Sequence, residues 1–83
     1  MGNNFSEEQW VNARSKLLDS VRGNDYDTVK KILSKAKKSK DEKKYKELVD
    51  ARDADGNTAI HIACANQYTK LVELLIGTTI NLF

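Results

Sequence analysis

Proline is absent from this 83-residue chain, glycine occurs only at positions 2, 23, 56 and 77, and cysteine only at position 64. So few breakers favour helices joined by a small number of tight turns over a loop-rich or sheet-rich fold. The single thiol of Cys64 has no internal partner for a disulfide, and no apolar run reaches the length of a signal peptide or a membrane span. A reducing, cytoplasmic setting is therefore expected, with the nucleus left open, and Asn4-Phe5-Ser6 becomes an idle glycosylation match. A large excess of one charge is also missing. Fourteen Lys and Arg against twelve Asp and Glu leave a formal +2, far below what a chain built to coat nucleic acid carries. A chain this short buries only about 60% of the surface it exposes when unfolded. One domain built from local contacts is expected, and a deep catalytic cleft is not.

What is present reads as helices. Ser6-Glu7-Glu8-Gln9 fits a capping box, with Phe5 and Trp10 at staple positions. It opens a predicted helix from Glu7 to Arg22 whose Trp10, Ala13, Leu17 and Val21 recur at spacings of three and four, widened by Val11 and Leu18. Gly23-Asn24-Asp25 breaks the pattern, and a second helix over 26–36 presents Val29, Ile32, Leu33 and Ala36, so the two should pair antiparallel. Between Lys35 and Glu47 seven lysines face three acids, a local net of +4. Ser39-Lys40-Asp41-Glu42 offers a second capping box ahead of Tyr45, Leu48 and Val49, which predicts a short docked helix inside the lysine-rich stretch. Asp55-Gly56 is turn chemistry. Thr58 then caps a helix over 59–66 with Ile60, Ala63 and Cys64 inward, and a last helix over 69–76 carries Leu71, Val72, Leu75 and Ile76, with Gly77 as its stop. Leu17, Val21, Val29, Ile32 and Leu33 each recur 43 positions later as Ile60, Cys64, Val72, Leu75 and Ile76, so one helix pair is repeated.

The segment from Asp53 to Ala63, reading DADGNTAIHIA, together with Leu71 to Ile76, reading LVELLI, resembles an ankyrin repeat in its aspartate, turn glycine, threonine, histidine and alanine. Leu17 to Leu33 resembles the amino-terminal capping repeat of such arrays. The resemblance implies an all-α fold of stacked antiparallel helix pairs. Residues 1–83 are expected to form one domain, with a capping pair over 7–36, a lysine-rich insertion over 37–50, and a repeat with the uncapped start of the next over 51–83. Three departures stand out: Ala59 takes the place of proline at the first helical position, Gln67-Tyr68 replaces Gly-His between the helices, and the spacing of 43 exceeds the usual 33 by ten residues. The Gln67-Tyr68 turn is accordingly expected to differ. Gly77 to Asn81 resembles the start of a further hairpin with residues missing. The Leu71 to Phe83 surface, with Ile80, Leu82 and Phe83, is therefore expected to meet further repeats, another protein or a second copy.

Site chemistry is thin. His61 and Cys64 lie three apart, too few for a zinc site. The resemblance makes His61 a brace for its turn, and Cys64 is expected at a small core position. Glycine is fourth in Asp53-Ala54-Asp55-Gly56, where a calcium loop has it sixth. No cofactor, metal or catalytic group is expected, and the chain reads as a non-enzymatic protein-binding module. The resemblance places its contacts at Arg52, Ala54, Asp55 and Asn57 of the hairpin tip and at Ala65 and Asn66 of the inner helix. The alternative is a tether to an anionic membrane or polyanion through Lys35, Lys37, Lys38, Lys40, Lys43 and Lys44. Gly2 is a candidate lipidation site that would add to such a tether, since Met1-Gly2 with Ser6 matches a minimal myristoylation pattern. The absence of arginine and the single aromatic, Tyr45, in the lysine stretch argue against base reading.

Overall fold

The capping box forms as its spacing requires. In the computed structural model, which describes residues 6–80, the Gln9 amide N–H donates to Ser6 Oγ at 3.2 Å and the Ser6 N–H donates to Gln9 Oε1 at 2.8 Å. This starts α1, Glu7–Arg22, and buries Trp10, Ala13, Leu17, Leu18 and Val21 along one stripe. Val11 lies off that stripe and is exposed. Phe5, the expected staple partner, lies outside the described residues. Asp25 opens α2, Tyr26–Lys38, by accepting from the Thr28 N–H and hydroxyl at 3.2 and 2.7 Å. Bonding to Thr28, hydroxyl first, holds the Asp25 carboxyl below its usual range.

The second capping box does not form. Ser39 ends α2 instead, its hydroxyl donating to the Ala36 carbonyl at 2.7 Å, and Asp41 takes the capping role by accepting from the Lys44 N–H at 3.1 Å. The Ser39 oxygen accepts from the Asp41 N–H at 3.4 Å, while Asp41, next to the first residue of α3, is the side chain that meets the helix's own N–H at Lys44. The expected docked helix is present as α3, Glu42–Val49, with Tyr45, Leu48 and Val49 buried. Thr58 caps α4, Ala59–Ala65. The last helix, α5, is Thr69–Ile80 and runs straight through Gly77. Glycine is tolerated inside a helix at a cost of about 1 kcal/mol relative to alanine, and Gly77 keeps the helical conformation, whereas Gly23 ends α1. The expected start of a hairpin at Gly77 is thus replaced by a further helical turn.

The three helix-to-helix turns are built alike, each carrying one left-handed non-glycine residue: Asn24 at φ 55°, Lys40 at 59° and Gln67 at 58°. The Gln67-Tyr68 turn therefore repeats the geometry of the first one despite its different residues. Asp25 donates its N–H to the Ser20 carbonyl, and Tyr68, 43 positions later, donates to the Ala63 carbonyl, both at 2.9 Å.

The two pairs stack with α4 on α1 and α5 on α2, while α3 touches α1, α2 and α5. A single core runs from Trp10 to Leu75. The Tyr68 hydroxyl donates to the Arg22 carbonyl at 3.3 Å and ties the two turns together. Lys44 joins α3 to α1 through Glu7 at 2.7 Å, and Arg14 reaches Glu47 at 3.6 Å. Bonding to Glu7 raises the Lys44 ammonium above its ordinary value.

The 43-residue register explains where the expected core departs from the observed one. Leu17, Val21, Val29 and Leu33 are buried because α4 and α5 cover them. Their counterparts are only half-buried at Ile60 and Val72, and exposed at Cys64 and Ile76. They face away from the first pair, and among the described residues no third pair covers them. The residues that α4 and α5 bury against the first pair are Ala59, Ile62, Ala63, Leu71 and Leu75.

Candidate protein-interaction surface

The loop between α3 and α4 is closed by an antiparallel bridge between Arg52 and Thr58, and Asp53 organises what lies between. Asp53 Oδ1 accepts the N–H groups of Asp55 and Asn57, each at 2.9 Å. The Asp53 N–H donates to the Asn57 carbonyl at 2.9 Å, and the Gly56 N–H donates to the Asp53 carbonyl at 3.0 Å. Arg22, at the end of α1, reaches Asp53 Oδ2 at 3.4 Å. The Asp53 side chain is only 8% exposed. The bond from the Asn57 N–H leads the interactions that hold its carboxyl below the usual carboxylate range, joined by those from Asp55 and Arg22. Gly56 supplies the positive φ that closes the turn.

An inward aspartate that satisfies the loop's own donors leaves the tip side chains facing solvent. Arg52, Ala54, Asp55 and Asn57 are all exposed. Arg52 is partly engaged, donating to the Gly56 carbonyl at 2.7 Å. Ala65 and Asn66 are exposed as well, at the far end of α4, about 10 Å from its first residue at 1.5 Å per residue. Asn66 Nδ2 donates to the Ile62 carbonyl at 2.8 Å, so its amide also serves the helix end. The tip forms one cluster; the α4 end is a second patch. The role of Asp53 was not singled out from the sequence, although an Asp two and four residues ahead of turn N–H groups is a readable Asx pattern.

His61 Nδ1 lies 2.8 Å from Thr58 Oγ1, and the His61 N–H points at the same oxygen at 3.4 Å. The ring thus braces the start of α4. Cys64 corrects an expectation: it is exposed, on the outer side of the second pair, and not in the core. Among the described residues no group of three or more His, Cys, Asp or Glu could hold a metal ion, and no helix is long and apolar enough to cross a membrane.

The lysine set divides. Lys44 is engaged by Glu7 and lies 3.9 Å from Glu47. Lys35, Lys37 and Lys38 are on α2, Lys40 is in the following turn and Lys43 is on α3, all exposed. Gly2 and the carboxyl-terminal Leu82 and Phe83 lie outside the described residues, as does the side chain of Ile80.

Two stacked helix pairs, an aspartate-braced hairpin and a histidine-threonine brace at the head of α4 coincide with a family comparison. The model described as ankyrin repeats (many copies) matches residues 17–76. The chain belongs to the ankyrin-repeat family. No curated protein and no solved structure gives a match. Ankyrin repeats are in general protein–protein interaction modules. In this ankyrin chain the matched span takes in α3 as well, so the ten extra residues lie within the repeat array as a packed helix.

Proposed function

We infer that this ankyrin domain is a non-enzymatic module that binds another protein through its hairpin tip, with Ala54, Asp55 and Asn57 as primary contacts and Arg52, Ala65 and Asn66 around them. The observation that carries the reading is the internal satisfaction of the loop by Asp53, which leaves the tip rigid and its outward groups available. A preformed surface loses little conformational entropy on docking, so a few polar contacts can set specificity. The test is affinity capture from the source cell, with proteins identified by mass spectrometry, comparing wild type with the Asp55→Ala, Asn57→Ala double variant. Loss of the captured proteins with an unchanged melting curve is the expected result; retention of all of them moves the interface elsewhere.

Tethering to an anionic surface is the weaker alternative, because Lys44 is already neutralised by Glu7 and Glu47. Its test is vesicle binding that collapses with moderate salt and disappears when Lys37, Lys38 and Lys43 become glutamine. Self-association through the outer face of α4–α5 is supported by the register, which leaves Ile76 exposed and Ile60 and Val72 only half-buried among the described residues. Light scattering at two concentrations, with and without Ile76→Ser, tests it.

A further inference from the structure

The first helix pair has an outer face of its own, turned away from α4 and α5, and there α1 and α2 leave an open groove of about 410 Å³. Its floor is apolar: Ala13 is buried and Ile32 half-buried. Its rim carries Lys16 from α1 and Lys31 and Lys35 from α2, all exposed, and no carboxylate lines it. None of the three lysines is in an ion pair among the described residues; Lys31 only acts at a distance on Asp25. The cations at the other contacts between elements are matched, Arg14 with Glu47, Lys44 with Glu7 and Arg22 with Asp53. Exposed lysines outside the ion pairs also occur at Lys30, Lys38 and Lys40, in grooves that Asp27 or Glu42 shares; what distinguishes the α1–α2 groove from those is the apolar floor with no carboxylate in its lining.

The repeat register shows what kind of surface it is. Lys16, Thr28 and Ile32 are the counterparts, 43 positions earlier, of Ala59, Leu71 and Leu75, through which the second pair packs onto the first. The groove is therefore a helix-packing face in which one large apolar position is kept and its neighbours are lysine and threonine; the counterparts of Ile62 and Ala63 are Asp19, paired with Arg22, and Ser20, neither of which lines the groove. A solvated cap needs polar residues but has no need of a single sign. Lys31, Lys35 and Lys38 follow at i, i+4 and i+7, a row about 10 Å long at 1.5 Å per residue.

We propose that the α1–α2 groove is a docking site for an acidic amphipathic helix of a partner protein, which seats one large apolar side chain on Ile32 and Ala13 and sets carboxylates against Lys16, Lys31 and Lys35. Acidic residues spaced three and four apart on the incoming helix match the lysine row turn for turn. Asn12 adds an uncharged amide at the rim. A concave floor between two helices is out of reach of a flat bilayer, and the groove has neither arginine nor an aromatic ring for stacking bases. This site is separate from the hairpin tip, so its failure and the failure of the tip reading are independent.

The probe is a fluorescein-labelled helical peptide of about 16 residues with Glu at i, i+4 and i+7 around a central Leu, titrated with the full chain at about 150 mM salt. Saturable binding with a micromolar dissociation constant is expected. The Lys16→Gln, Lys31→Gln, Lys35→Gln variant should weaken it about tenfold or more. Replacing the central Leu of the probe by Ser should do the same, a control that needs no change in the protein. The Asp55→Ala, Asn57→Ala variant should bind the probe as wild type does. No saturable binding below about 1 mM overturns the proposal. So do equal affinities for the Leu and Ser probes, or an unchanged affinity of the triple variant. Tighter binding to phosphatidylserine vesicles or to an oligothymidine strand would likewise assign the lysines to a membrane or a nucleic acid instead.

Discussion

Truncating Tyr45 asks whether the ten extra residues are a decoration or part of the core. Tyr45 is fully buried in α3, beside Leu48, which is equally buried, and α3 contacts α1, α2 and α5. Removing a buried aromatic ring costs about 3–5 kcal/mol. A domain of 83 residues at roughly 0.05–0.15 kcal/mol per residue has only about 4–12 kcal/mol in total. Tyr45→Ala should therefore remove a quarter or more of the stability, whereas Tyr45→Phe, which keeps the ring, should stay within about 1 kcal/mol of wild type. In urea denaturation followed by far-ultraviolet circular dichroism, with a slope of about 1 kcal/mol/M, these correspond to midpoint shifts of about 3–5 M and of no more than about 1 M. Lys43→Ala and Lys46→Ala, on the exposed side of the same helix, should stay within about 0.5 kcal/mol of wild type. Excising residues 40–49 restores a 33-residue spacing and should prevent cooperative folding, since shortening the connection alone changes closure entropy by a few tenths of a kcal/mol. A Tyr45→Ala variant within about 1 kcal/mol of wild type would refute the core assignment and return α3 to the status of a surface strap.

The glycines should respond in opposite senses. Gly77 lies inside α5 with open space where a Cβ would go, so Gly77→Ala should raise the urea midpoint by the equivalent of about 0.5–1 kcal/mol, whereas Gly56→Ala, at φ 83°, should lower it by about 1 kcal/mol. Gln67→Gly relieves a left-handed non-glycine and should stabilise by up to about 1 kcal/mol in the same assay. Asp25 and Asp53 titrate below their usual value near 3.8, so each contributes stability above that pH and loses it as pH falls through the lower folded value. Melting temperature should accordingly drop steeply below about pH 4, and Asp53→Asn should flatten that acid limb; an unchanged slope would separate the carboxylate from loop stability.

Local chemistry was the legible part. The Ser6–Gln9 box, the Thr58 cap, the Gly23–Asp25 break and the Asp55-Gly56 turn each depend on residues within four positions of one another, and each forms. The exposed tip followed from the same turn chemistry and from the family resemblance. Competition between neighbours was harder to read. Ser39 and Asp41 were both able to open α3; the helix starts directly after Asp41, whose carboxylate takes the Lys44 N–H, while the Ser39 hydroxyl serves the Ala36 carbonyl at the end of α2. The Lys16–Lys31–Lys35 groove was invisible for another reason: its residues come from two helices whose lateral alignment is fixed by packing.

The displaced core residues point to a property of repeat sequences as such. Ile60, Cys64, Val72 and Ile76 are apolar at the positions that bury Leu17, Val21, Val29 and Leu33, yet Ile76 is 42% exposed and Cys64 is open to solvent. In a stacked array an apolar position records that a neighbour packs there in some register, and says nothing of which side that neighbour occupies. Ile62, which the periodicity left out, is buried because α4 meets α1 on the opposite edge of the helix. The same reasoning links the two ends of the stack. Where the second pair keeps apolar residues facing outward, the groove on the first pair's back face is lined by lysine and threonine around Ile32, so the two outer surfaces are suited to occupants of different chemistry. A partner that competes with the acidic helical probe should leave self-association through Ile76 untouched, because the whole thickness of both pairs lies between them.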